Sequence, residues 1–150
     1  MNEQSGRSLI EMLGVLAIGG IITFGAVKMY QSIRLRQQRF IMEQELSTLS
    51  ENIRILYSGR SDYTNISKSY LIKAGALKTE QIGRRDFSVN ANADGKSFAI
   101  VFDGLSLGDC THFATKIMDW TVAVSVNGTT ESPAAACVES STNKLEFIVQ

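Results

Sequence analysis

The sequence has few of the residues that usually carry chemistry. Its one histidine, His112, and its two cysteines, Cys110 and Cys137, are too few and too scattered for a zinc site. It has neither a glycine-rich phosphate loop nor a pair of histidines spaced to hold a metal. Fifteen basic and fifteen acidic side chains cancel, which leaves no net field to draw a nucleic acid to the chain. Proline occurs once, and neither proline nor glycine interrupts the chain between Val27 and Gly59. Such a stretch can be a single helix.

The segment Asp109-Cys110-Thr111-His112 puts the histidine two residues from a thiol. Residues two apart on a helix point in different directions, so Cys110 and His112 are not a nucleophile and its base. A structural cysteine beside a surface histidine is the expectation, and no catalytic residue, cofactor site or metal site is assigned. The cysteines form a disulfide if the domain is exported and are two buried thiols if it is cytosolic. Asn65-Ile66-Ser67 and Asn127-Gly128-Thr129 fit glycosylation sequons, but patterns this short arise by chance.

With 150 residues there is room for about one domain. What the chain does have is a long apolar run. From Met12 to Val27 the only polar side chain is Thr23, and as a helix this run falls a little short of the bilayer's ~30 Å hydrocarbon core. It spans if Glu11 and Lys28 lie at the two interfaces. Lys28, Arg34, Arg36 and Arg39 cluster directly after it. A buried core helix is disfavoured because a long polar helical pattern follows, with nothing comparable to pack against. A cleaved signal peptide is disfavoured because Phe24-Gly25-Ala26 is a poor small-x-small site.

A short hydrophilic stretch ends in Gly6, and Arg7-Ser8-Leu9-Ile10-Glu11 abuts the apolar run. This resembles the class III leader of type IV pilins: a glycine at the cleavage site, a small or hydroxyl residue second, a Leu-Ile pair and a glutamate fifth. Gly6, Ser8, Leu9, Ile10 and Glu11 match in register, while Arg7 stands where an apolar residue is usual. The resemblance implies a leader over residues 1–6, cleaved by a membrane prepilin peptidase. Arg7 is then the mature N-terminus, usually methylated in the family. A carboxylate inside an inserted helix is costly and should face a partner. In a filament that partner is the N-terminal ammonium on Arg7 of an adjacent subunit, a polar pair that sets the axial register of otherwise smooth helices.

Downstream, Met42, Leu46, Leu49, Ile53 and Leu56 recur at alternating four- and three-residue spacing, so the apolar run and this amphipathic stretch read as one helix over residues 7–58. Gly59 is its expected stop. A helix from Leu9 to Ser58 is about 75 Å long, and only its second half has a seam for a globular domain. Gly14, Gly19, Gly20 and Gly25 weaken it by about 1 kcal/mol each relative to alanine. The Gly19-Gly20 pair is the expected point of unwinding in a fibre.

The head, residues 59–150, is expected to be α+β. A short helix is read over Ser67 to Ala76, strands over Phe87 to Asn92 and Ser97 to Asp103, and a helix over Ser106 to Asp119 with Cys110, Phe113, Ala114, Ile117 and Met118 inward. Strands are also read over Trp120 to Val126 and Lys144 to Val149, giving a small antiparallel sheet against the stem. The order of Cys110, Val126-Asn127-Gly128, Cys137 and a last strand from Asn143 to Val149 is similar to type IVb pilins of the conjugative thin-pilus type. That resemblance favours a Cys110–Cys137 bridge.

The resulting expectation is a structural subunit of a type IVb pilus and not an enzyme. It is held in the bacterial inner membrane and then assembled with copies of itself into an extracellular filament serving adhesion, conjugation or related functions. The resemblance implies a platform protein and an assembly ATPase besides the peptidase. The surfaces Arg60 to Lys96 and Cys110 to Cys137 are then the places for neighbours or receptors. A minor pilin or secretion pseudopilin is the alternative within this class. A bitopic membrane protein with a periplasmic binding domain that never polymerises is the alternative outside it.

Overall fold

A computed structural model describes the backbone of residues 3–150 and the side chains of residues 8–150. The chain divides into two compact units, one ending at Phe40 and the other spanning Ile41–Gln150. A single helix, α1 (Glu3–Tyr57), contributes to both.

In the second unit the predicted seam lies in the core. Met42, Leu46, Leu49 and Ile53 are buried, Leu56 is half-buried, and Tyr57 completes the face. The helix stops at Tyr57, two residues before the expected Gly59. Gly59 does not adopt the left-handed conformation of a glycine cap. A turn closes the end instead, with the Arg60 amide donating to the Tyr57 carbonyl at 2.8 Å.

α2 (Lys68–Lys73) is shorter than expected, and both ends have a local cause. The Ser67 hydroxyl accepts from the Tyr70 amide at 3.2 Å, an N-cap bond. At the other end Gly75 takes φ +77°, and the amides of Gly75 and Ala76 donate to the carbonyls of Ile72 and Leu71, a Schellman closure.

A hairpin that the sequence reading left as polar, broken chain follows: β1 (Gln81–Ile82) and β2 (Arg85–Asp86), joined at Gly83-Arg84. Then come β3 (Ser88–Ala91), β4 (Phe98–Leu105), α3 (Leu107–Thr115), β5 (Ala123–Val126), a 3-10 turn at Pro133–Ala136 and β6 (Asn143–Val149). The four longer strands form one antiparallel sheet in the order β3-β4-β6-β5. The inward face is as read, with Phe98, Ile100 and Phe102 of β4 sharing a core with Leu145, Phe147 and Val149 of β6 and with the stem seam, but β4 is not half-buried, since Ala99 and Val101 between them are buried too. The fold is α+β, a long N-terminal helix whose second half packs on a small antiparallel sheet.

Two further boundaries depart from expectation by three residues or more. The predicted Ser106–Asp119 helix ends at Thr115; Lys116 turns extended (φ −86°, ψ 123°), and its ammonium meets Glu43. The helical register is lost there, so Met118 is buried while Ile117, expected inward, is 91% exposed. The strand expected from Trp120 starts at Ala123. Thr121 closes a turn on the Met118 carbonyl, and the Trp120 carbonyl accepts from Arg54 Nη2 at 3.2 Å.

Candidate functional site

The first unit presents an apolar helix with nothing upon it. Leu9, Ile10, Leu13, Leu16, Ile18, Ile21, Ile22 and Phe24 are all more than half exposed, which water would penalise heavily for such a run. Thr23 is the polar exception, and its hydroxyl donates to the Gly19 carbonyl at 2.7 Å. The one hydroxyl in the run is thus satisfied within the helix, as a hydrocarbon setting requires. Lys28 folds back over the Phe24 ring, 5.6 Å from its centroid. This helix is long and apolar enough to cross a membrane.

Glu11 is exposed on this helix. Gly6 and Arg7 lie in α1 by backbone, but their side chains are outside the described residues. A Cβ at Gly14, Gly19, Gly20 or Gly25 would meet nothing within 4 Å, so no contact inside this chain explains the glycines. The helix runs unbroken through Gly19-Gly20. Unwinding there concerns a packed fibre.

In the second unit, Cys110 and Cys137 are joined in a disulfide with Cα atoms 5.9 Å apart. Closing 27 residues contributes up to roughly 3–4 kcal/mol in the chain-entropy model. The enclosed segment is then held by two asparagines. Asn127, at φ +50°, opens the Asn-Gly turn after β5; its Nδ2 donates to the Ala136 carbonyl at 2.8 Å and its Oδ1 accepts from the Lys144 amide at 2.9 Å. Asn143 is fully buried. Its Nδ2 donates to the carbonyls of Leu105 (2.9 Å) and Val138 (2.8 Å), and its Oδ1 accepts from the Val138 amide at 2.7 Å. One side chain therefore ties β4, the chain just past Cys137 and the start of β6.

α3 is fastened to the stem by charge. His112 Nε2 lies 2.9 Å from Glu43 Oε1, and Lys116 takes the other carboxylate oxygen. His112 was expected at the surface; it is half-buried because it reaches the stem. The α3 start is set by Ser106, whose hydroxyl accepts from the Asp109 amide at 3.3 Å, while Asp109 pairs with Arg85 of the hairpin at 2.6 Å. Cys110 is consumed by the disulfide, so no thiol stands beside His112 as a nucleophile. Among the described residues, no group of three or more His, Cys, Asp or Glu is placed to hold a metal.

Sequence reasoning named Asn127 and Asn143 only as parts of the type IVb pattern, without a bonding role, and did not single out Glu43 or Gly83. The Asn-Gly pair was the available signal for the first. The role of Asn143 was not legible because it joins near partners, Val138 and Ser140, to Leu105, 38 residues earlier.

The sequence matches no protein-family model and no curated protein. Among solved structures it resembles TcpA, a type IV pilin from Vibrio cholerae El Tor biotype, at TM-score 0.58 and 13% identity, over 76% of this chain and 99% of that one. It also resembles the type IVb pilin from Salmonella typhi at TM-score 0.53 and 19% identity, over 70% of this chain and 95% of that one. At such identities the likeness is one of fold. A long N-terminal helix, a four-stranded antiparallel sheet beside its second half and a disulfide-bounded segment before the last strand make this the fold of the type IV pilins.

Proposed function

We propose that the chain is a filament-forming pilin subunit, type IVb-like, and not an enzyme. The observation that carries this reading is a pilin fold extended by an apolar helix that is wholly exposed in the single chain. Exposed apolar surface of that extent needs a dry environment. Lipid supplies one before assembly, and neighbouring helices supply another within a fibre. Exchange between two apolar settings costs little, so an ATP-driven motor can move subunits from membrane to filament.

In this reading a prepilin peptidase removes residues 1–6 at the Gly6–Arg7 bond, and a platform protein guides extraction. Glu11 then meets the Arg7 α-ammonium of a neighbouring copy. Desolvated at the helix bundle, that pair is worth making and costly to break, which fixes the stagger between subunits. Gly19-Gly20 is where the helix gives way if packing demands it, since two glycines lower the cost of losing helical bonds.

The test is expression in a cell with a functional pilus assembly system, with surface shearing and intact mass. Processed protein lacking residues 1–6 in sheared filaments is the expected result. Glu11→Ala should reduce sheared filament at least tenfold while the membrane pool persists. Full-length mass with no sheared material would support a non-polymerising membrane anchor instead. Normal filament yield from Glu11→Ala would remove the role given to that carboxylate.

A further inference from the structure

Between Glu11 and Glu43 the chain has no acidic side chain, yet it carries Lys28, Arg34, Arg36 and Arg39 there. All four lie on α1; Lys28, Arg34 and Arg36 are exposed and Arg39 is half-exposed. Exposed Tyr30 and Phe40 are interleaved with them. We propose that this basic collar binds the headgroups of anionic phospholipids on the far side of the membrane while the subunit is stored there. The proposal rests on the reading of Met12–Val27 as a membrane span.

Helix geometry places the collar. The run from Met12 to Val27 covers about 24 Å at 1.5 Å per residue, against a ~30 Å hydrocarbon core. The core therefore extends about four residues past Val27 unless the bilayer thins. The next ~6 Å, the headgroup layer, then holds Arg34 and reaches Arg36. Helical side chains lean toward the N-terminus, so both guanidinium groups tilt back toward the lipid. Lys28 lies just inside the core; in the single chain its ammonium folds over Phe24, one turn toward the membrane centre, and it swings the other way to snorkel outward. Tyr30 falls at the boundary where an amphipathic ring is favoured.

Charge decides the ligand class. A phosphodiester headgroup offers two acceptor oxygens to a guanidinium fork. With no carboxylate within the interval, the lipid phosphate meets no repulsion there. Arg39 is already engaged in an interaction of its own, so the assignment stands on Lys28, Arg34 and Arg36. The collar fixes the depth of the helix, and its contacts must be surrendered on extraction. Lipid composition thereby sets part of the work of assembly.

The test uses the full chain and the triple variant Lys28→Gln, Arg34→Gln, Arg36→Gln, each reconstituted in vesicles of phosphatidylcholine alone or with a minor share of phosphatidylglycerol. Flotation with the neutral vesicles after a high-salt wash reports the span. The lipid that copurifies after mild detergent extraction from mixed vesicles, quantified by mass spectrometry, reports the collar. Wild-type protein should retain phosphatidylglycerol several-fold above its bulk share, less so at high salt, and the variant should fall to the bulk ratio. Flotation with equal enrichment for both proteins overturns the collar alone. Failure of the wild type to float overturns the membrane reading and the collar with it. If the variant keeps the wild-type lipid profile but no longer self-associates, the cations serve a second copy and the lipid assignment is wrong.

Discussion

Asn143 shows how much a single side chain can hold. It is buried with its amide fully used, so replacing it leaves the Leu105 and Val138 carbonyls without a donor. Stranded buried acceptors cost about 1–3 kcal/mol each. Asn143→Ala should lower the stability of the folded head by at least about 2 kcal/mol on the same basis, read as a fall in urea midpoint with the disulfide still formed. A midpoint unchanged from wild type would show that water replaces the amide there. Asp94 makes a milder case at the turn between β3 and β4. Partial desolvation raises its carboxyl pKa, but the Ser97 hydroxyl and the amides of Lys96 and Ser97 more than offset this and hold it below its ordinary value. A depressed acid stabilises the fold above the unfolded value of about 3.9 and loses that contribution as pH falls through the folded value. The advantage of wild type over Asp94→Asn should therefore be present at neutral pH and disappear in strong acid. Chemical denaturation at the two pH values measures it, and an equal gap at both contradicts the assignment.

At the scale of elements, the hairpin β1–β2 depends on a glycine for two separate reasons. Gly83 and Arg84 both have positive φ, +55° and +65°, the backbone of a tight two-residue turn. A Cβ on Gly83 would also sit 2.9 Å from the Met42 Cβ, and the Gly83 amide donates to Glu45 Oε2 at 2.7 Å. Gly83→Ala should thus cost more than the roughly 1 kcal/mol of backbone strain and detach the hairpin from the stem. Hydrogen exchange should show loss of protection at Ile82 and Gly83 with the sheet amides unchanged; full protection would mean that Met42 yields to the methyl group. Elements of this kind were hidden in the sequence. The stem and the strands β4 and β6 were legible because their apolar residues repeat at 3.6 or 2 over several turns or pleats. Two-residue strands have no period to read. The end of α3 was misplaced because Ile117 continues the helical pattern in the sequence, while the backbone turns extended at Lys116.

Taken whole, the chain has its core entirely within Ile41–Gln150. A fragment from Met29 to Gln150 should therefore be soluble, retain the Cys110–Cys137 bond and unfold in one transition without detergent. Sedimentation and thermal melting check this, and aggregation or a noncooperative melt would show that the apolar run supports the head. The candidate site divided along the same line. Glu11 and the glycine at position 6 stood out because a carboxylate beside an apolar run and a glycine before it are local signals. The bonding role of the asparagine hub could not stand out, because it is complete only once β4, 38 residues earlier, meets the start of β6.

β6 lies between β4 and β5, although both precede it in the chain. Until it arrives, β5 has no neighbour in the sheet and β4 has only β3. A chain cut short before Asn143 therefore leaves β4 with an open edge and β5 unpaired, the kind of exposed strand that proteases and other chains engage. The order of strands thus makes the closure of the whole sheet wait on β6.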